Sequence, residues 1–219
     1  MTFDCEAILF DLDGVLVDSR ECVENAWREW AQSHGLDPAA VLSEAHGHRT
    51  ADTIRIVAPH LDAHAEAKLL EAAESTHTRG LREIPGVCDL IARLPEERWA
   101  VFTSGTHPVA ELRLRFARIP FPSVFICAED VRRGKPDPEG YRTAAERLGF
   151  AAADCVVFED APTGIAAARA AGASAVGVAT TYDPAELHRA HAVVRRLADV
   201  TVATRDGRLH ITVPDSALT

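Results

Sequence analysis

Apolar positions along the chain follow two rhythms. From residue 84 onward, near-continuous apolar blocks (WAVFT at 99–103, VFIC at 124–127, CVVFE at 155–159 and SAVGVA at 174–179) alternate with stretches at about 87–94, 108–117, 138–148 and 162–171 whose apolar residues recur every three or four positions. Short unbroken apolar blocks suit strands buried on both faces, and the three-to-four spacing suits helices packed by one face. Strands and helices in alternation predict right-handed crossovers and a mostly parallel sheet, hence an α/β core.

A further block at residues 5–10 predicts a first strand. Helical patterns follow at 22–34, with Val23, Ala26, Trp27 and Trp30 on one side, and at about 50–58 and 62–77, broken near Pro59. About 70 largely helical residues thus separate the first strand from the others, too many for an ordinary loop. The pattern predicts a helical cap at 16–83 inserted into a core formed by 1–15 and 84–219, with hinges near 14–18 and 79–85. Residues 200–213 alternate around Asp206-Gly207, a signal for a C-terminal β-hairpin.

With 219 residues, 47% of them hydrophobic, the chain can bury a substantial core. A formal charge of -10 argues against a polyanionic partner, so no nucleic acid is expected. A small phosphorylated ligand stays compatible, because local cations or a metal can reverse the field inside one cleft. No run approaches the roughly 18 apolar residues of a membrane span, and the N-terminus brings acids rather than a basic targeting region. The expectation is a cytoplasmic protein with no membrane partner. Cys5, Cys22, Cys88, Cys127 and Cys155 are odd in number and widely spaced, which predicts reduced thiols in or near the core rather than a disulfide framework or zinc site. Oligomeric state is left open.

Four separated pieces carry candidate chemistry. The run ILFDLDGVLVDS at 8–19 passes from a strand directly into Asp11 and Asp13, and Gly14 lets the chain turn away. In an open parallel sheet the carboxyl ends of strands face the ligand crevice. In FTSGTHP, 102–108, the hydroxyls of Thr103, Ser104 and Thr106 and the backbone beside Gly105 can hold phosphate oxygens ahead of a helix, although small polar residues also serve as helix caps. Lys135 stands between glycine and proline in RRGKPDPEGY, 132–141, where a turn can aim its ammonium into a cleft; Arg132 and Arg133 read as surface charge. VVFEDAPTGIAAAR, 156–169, again ends a strand in acids, Glu159 and Asp160, suited to a hard cation such as magnesium, with Gly164 allowing close packing.

This ordered set, from FDLDG through TSGT and GKPDPE to FEDAPTGIAAA, resembles the haloacid dehalogenase superfamily of phosphohydrolases over nearly the whole chain. The chain looks like the subgroup that contains sugar-phosphate and glycerol-phosphate phosphatases and beta-phosphoglucomutases. The resemblance implies a Rossmann-like core and hydrolysis of a small sugar or polyol phosphate, dependent on Mg2+, through an aspartyl phosphate. It assigns Asp11 as nucleophile, Asp13 as general acid/base, Ser104 with Gly105 and Thr106 as phosphate-binding groups, and Lys135 as the charge-stabilising lysine. Metal ligands would be Asp11, the backbone carbonyl of Asp13, and Asp160, with Glu159 acting in the metal's surroundings.

Within the expected cap, HGHRTADTI at 46–54 offers Arg49 to bind substrate, Asp52 to orient it and Gly47 to admit close approach, while His46 and His48 read as structural or solvent-facing. Two alternatives stand beside hydrolysis. A beta-phosphoglucomutase-like mutase would carry a cap histidine about ten positions after its acid/base aspartate, where this chain has Val23; a non-enzymatic binding protein would hold sugar phosphate without releasing phosphate. Trp27 and Trp30 are expected to pack a cap helix, Trp99 the core, and GIAAARAAGA, 164–173, a helix laid tightly on the sheet.

Overall fold

The computed structural model describes residues 1–45 and 47–214; His46 lies outside the described residues. The expected first strand is in fact two. β1 (Thr2–Cys5) and β2 (Ala7–Phe10) are separated by a bend at Glu6 and join different sheets. Their burial explains the division: β1 alternates exposed and buried residues as a strand covered on one face does, whereas β2 is buried throughout.

The chain then runs through a short β3 (Val17–Asp18) into four helices, α1 (Arg20–Ser33), α2 (Pro38–Ala45), α3 (Thr50–Val57) and α4 (Ala63–Glu74), and returns through β4 (Arg82–Glu83). β3 and β4 pair antiparallel, Val17 opposite Glu83 and Asp18 opposite Arg82, at the two segments where hinges are expected. The four helices share their own apolar cluster, including Trp27, Trp30, Val41, Ile54 and Leu70. Asp62 sets the start of α4, its Oδ1 accepting from the backbone N–H of His64 and Ala65. The helix α2 has no counterpart among the sequence-based expectations, because only Val41 and Ala45 of its eight residues are buried and the periodic signal is correspondingly faint.

After α5 (Val87–Ile91) the alternation holds: β5 (Trp99–Phe102), α6 (His107–Phe116), β6 (Val124–Ile126), α7 (Glu139–Leu148), β7 (Cys155–Glu159), α8 (Pro162–Ala171) and β8 (Ser174–Val178). The three-residue β9 (Ala192–Val194) was not expected. It completes a six-stranded sheet of order β6-β5-β2-β7-β8-β9 in which every neighbouring pair is parallel. The fold is α/β and Rossmann-like. On α8, Ile165, Ala167 and Ala168 are fully buried in the cluster beneath one sheet face, the close approach that small side chains permit. Trp99 packs edge-on to Phe10 in the core on the opposite face. The hairpin forms as expected, β10 (Thr201–Arg205) and β11 (Arg208–Thr212) joined through Asp206 and Gly207, both at positive φ. It pairs with β1 into a separate three-stranded antiparallel sheet. Among the described residues, no helix is long and apolar enough to cross a membrane.

Candidate active site

Strand register creates the site. β2 lies between β5 and β7, with Phe10 opposite both Val101 and Phe158. Asp11, one residue beyond β2, therefore comes level with Glu159 at the end of β7, while Thr103 and Ser104 follow β5 at the same edge. Gly14 makes the sharp exit: its φ is +76°, and a Cβ there would overlap the carboxylate of Asp160.

Lys135, on the loop between β6 and α7, reaches into this edge and is almost wholly buried. Its Nζ lies 2.5 Å from Asp11 Oδ1 and 2.5 Å from Glu159 Oε1. The rings of Phe102 and Tyr141 flank the ammonium, 5.0 and 5.5 Å from Nζ to their centroids. Glu159 is held further by the Tyr141 hydroxyl, which donates to Oε1 at 2.8 Å, and by the Ala161 N–H, which donates to Oε2 at 3.1 Å. Burial opposes any charge on Lys135, but Asp11 and Glu159 outweigh it and hold the ammonium above its ordinary range.

One buried ammonium does not balance the acids around it. Carboxylate oxygens of Asp11, Glu159 and Asp160 all lie within 4.8 Å of one another. Burial pushes the Asp11 carboxyl up to about 8 despite Lys135, and burial together with the charges of Asp11 and Glu159 pushes Asp160 well above the usual carboxylate range. Three buried carboxyl groups beside a single ammonium form a hard oxygen donor set that can ionise fully only with a further positive charge among them, which fits Mg2+.

Asp13 faces a different set of partners. Ser19 Oγ donates to its Oδ1 at 2.5 Å and Arg113 Nη1 to its Oδ2 at 2.6 Å. Asp11, Asp13, Ser104, Gly105, Lys135 and Asp160 line one cavity of about 80 Å³, whose other lining comes from the helical segment: Arg20, Val23, Trp27, Thr50 and Glu74 on helices, and His48 in the loop between α2 and α3. Ser104 Oγ donates to the Gly47 carbonyl at 3.2 Å, and the Thr103 hydroxyl accepts from the Gly105 N–H at 3.0 Å.

Two expected substrate-binding residues are placed elsewhere. Thr106 occupies the position before the first turn of α6 and does not line the cavity. Arg49 turns to the core loop ahead of Lys135, donating through Nη2 to Val131 O at 2.7 Å and through Nη1 to Arg132 O at 3.2 Å. Asp52, expected to orient Arg49, instead pairs with Arg55 at 2.5 Å, its neighbour one helical turn along α3. His48 does line the cavity, with Nδ1 3.1 Å from the Glu44 carbonyl. Sequence reasoning passed over Tyr141, Ser19, Glu74 and Arg113. Tyr141 lies in the same segment as Lys135, but nothing in its spacing ties it to Glu159.

The family model for haloacid dehalogenase-like hydrolases matches residues 5–172. The chain belongs to this family. Hexitol phosphatase A of Escherichia coli is 41% identical over 203 residues, covering 90% of this chain and 94% of that protein. Glycerol-1-phosphate phosphohydrolase 1 of Saccharomyces cerevisiae is 37% identical, covering 84% and 78%. Among solved structures, a hydrolase from Pseudomonas syringae superposes with a TM-score of 0.80 at 26% identity, covering 88% of this chain and 94% of that one. In this haloacid dehalogenase-like hydrolase, acids and hydroxyls follow the strand ends of the parallel sheet, and one buried lysine reaches them from the loop between β6 and α7.

Proposed function

We propose that this hydrolase cleaves small sugar or polyol phosphate monoesters, with Mg2+ bound, by way of a phosphoryl group carried on Asp11. The observation that carries the reading is the buried Lys135 set between Asp11 and Glu159 beside Asp160, at the strand end opening onto the cavity. Relatives named for hexitol and glycerol phosphates support the substrate class.

Asp11, Asp160 and the backbone carbonyl of Asp13 are the groups assigned to Mg2+, which when bound supplies positive charge against the phosphate and the nucleophile. Asp11 attacks phosphorus while the bond to the leaving oxygen breaks, and Asp13 gives that oxygen its proton. Water then attacks the phosphorus of the aspartyl phosphate as its bond to Asp11 breaks; Asp13 takes a proton from that water, and inorganic phosphate leaves with the Asp11 carboxylate restored. Lys135 opposes the charge on the transferred oxygens, and Ser104 turns its hydroxyl from the Gly47 carbonyl to the phosphate.

The helical insertion acts as a cap. Its polar wall, with Arg20, His48, Thr50 and Glu74, suits a hydroxyl-rich leaving group. At about 80 Å³ the cavity accommodates a phosphate-sized group, so a sugar or polyol enters when the cap moves away. Val23 on the cavity wall, where the mutase reading calls for a histidine, favours hydrolysis over transfer between sugar positions.

A phosphate-release screen over glycerol phosphates, sorbitol phosphate, deoxyglucose phosphate and other sugar phosphates, with and without magnesium, tests this. Metal-dependent release with a preference among them is expected. Sugar phosphates interconverted without net release would favour the mutase, and binding without release a non-enzymatic protein. Asp11→Asn should form no phosphoenzyme by mass analysis; a phosphorylated peptide around Asp11 in that variant would defeat the nucleophile assignment.

A further inference from the structure

Helix α6 buries one face in the core through Val109, Ala110 and Leu114, and Arg113 lies on that same face. Its side chain is 5% exposed, so its charge has to be met by partners within the protein. Its two arms go to different parts of the chain. Nη1 donates to Asp13 Oδ2 at 2.6 Å, and Nη2 donates to Glu74 Oε2 at 2.9 Å on the last residue of α4. Arg115, two residues on, shows the ordinary alternative: it is exposed and pairs with Glu111 on its own helix.

We propose that Arg113 is a positioning residue for Asp13, and that Glu74 of the cap holds Arg113 in turn, so that the acid/base carboxylate is set in place when the cap is seated. The claim rests on the role assigned to Asp13 above. Asp13 follows the end of a strand through a tight turn, and strand geometry does not aim its carboxylate at the departing oxygen. Ser19 holds one oxygen and Arg113 the other, leaving the group little freedom to rotate. Glu74 and Arg113 both line the cavity, so the chain of contacts from cap helix to acid/base runs along its wall. A lysine cannot replace this link, because a single ammonium lacks the two-armed fork that reaches both carboxylates.

A purely structural ion pair and a positioning role separate by leaving group. An alkyl oxygen needs a proton as it departs, whereas nitrophenolate leaves without one. The experiment is rapid-quench, first-turnover kinetics of wild type, Arg113→Met, Arg113→Lys and Glu74→Gln in the presence of magnesium. The substrates are 4-nitrophenyl phosphate and the alkyl phosphate most rapidly cleaved in the screen. Arg113→Met should slow alkyl-phosphate cleavage about 100-fold while leaving the nitrophenolate burst within about threefold, and phosphoenzyme should then persist because hydrolysis also needs Asp13. Arg113→Lys should recover less than about a tenth of the loss, and Glu74→Gln should show the same split at about tenfold. Equal losses on both substrates, or no loss on either, overturn the positioning role while leaving the phosphatase reading intact. If Arg113→Met does not fold, Glu74→Gln decides by the same comparison. A wild-type protein that cleaves neither substrate defeats the phosphatase reading, and the positioning role with it.

Discussion

Replacing Gly164 with alanine sets helix propensity against tertiary structure, and the two predict opposite signs. Gly164 is the third residue of α8, where alanine in place of glycine is ordinarily worth about 1 kcal/mol. In the fold, a Cβ at this position would overlap the carboxylate of Glu159. Glu159 is fully buried and has no route to solvent. Displacing it breaks the 2.5 Å contact with Lys135 Nζ, the 2.8 Å bond from Tyr141 and the 3.1 Å bond from the Ala161 N–H. Disrupting a buried, hydrogen-bonded pair costs about 3–5 kcal/mol. Taking about 4 kcal/mol for the loss and about 1 for the gain, Gly164→Ala should destabilise the protein by about 3 kcal/mol, lowering Tm by about 6–12 °C in a chain of this size. Equilibrium urea unfolding, with the slope compared to wild type, measures it. In a Glu159→Ala background the overlap is gone, so the same Gly164→Ala change should be neutral or stabilising, giving a coupling of several kcal/mol between the two positions. A Gly164→Ala protein as stable as wild type would refute the argument that this glycine exists to make room for Glu159.

Two further outcomes follow from burial and hydrogen bonding. Burial pushes the thiols of Cys5 and Cys155 up to about 12 and raises those of Cys22 and Cys127, so at pH 8 all four stay protonated, and since the thiolate is the reactive form a brief alkylation of native protein should label Cys88 alone; mass analysis after unfolding should find five labels. Arg49→Ala removes both donors to the Val131 and Arg132 carbonyls, at a cost of about 1 kcal/mol, and should speed amide hydrogen exchange around 131–135 about fivefold, with lysine a poor substitute. Wild-type exchange with a raised KM would instead return Arg49 to substrate binding.

Much of the fold was readable because its signals are local. Unbroken apolar blocks announced strands buried on both faces, and the stretch between Gly14 and the 79–85 segment announced helices by period. The expected strand at 5–10 misled because an apolar run reports burial and says nothing of which sheet provides it; Glu6 marks the place where one strand ends and another begins. β9 and the β3–β4 ribbon are too short to show any period at all.

The sequence by itself determined the α/β core, the helical insertion, the hairpin, which acids and hydroxyls stand at the ends of apolar runs, and the lysine set between glycine and proline, since each is a matter of residue type and spacing within a few positions. Only the tertiary structure decided who meets whom. Arg113 reads in the sequence as one more charge on an amphipathic helix, yet the packing of α6 into the core and beside α4 brings it to carboxylates 100 and 39 positions away. Arg49 reads as a substrate ligand, yet the seating of the insertion on the core turns it to a backbone loop. Periodicity records whether a side chain is covered, whereas the partner that covers it is selected by how distant elements pack, and that choice leaves no mark on the local pattern.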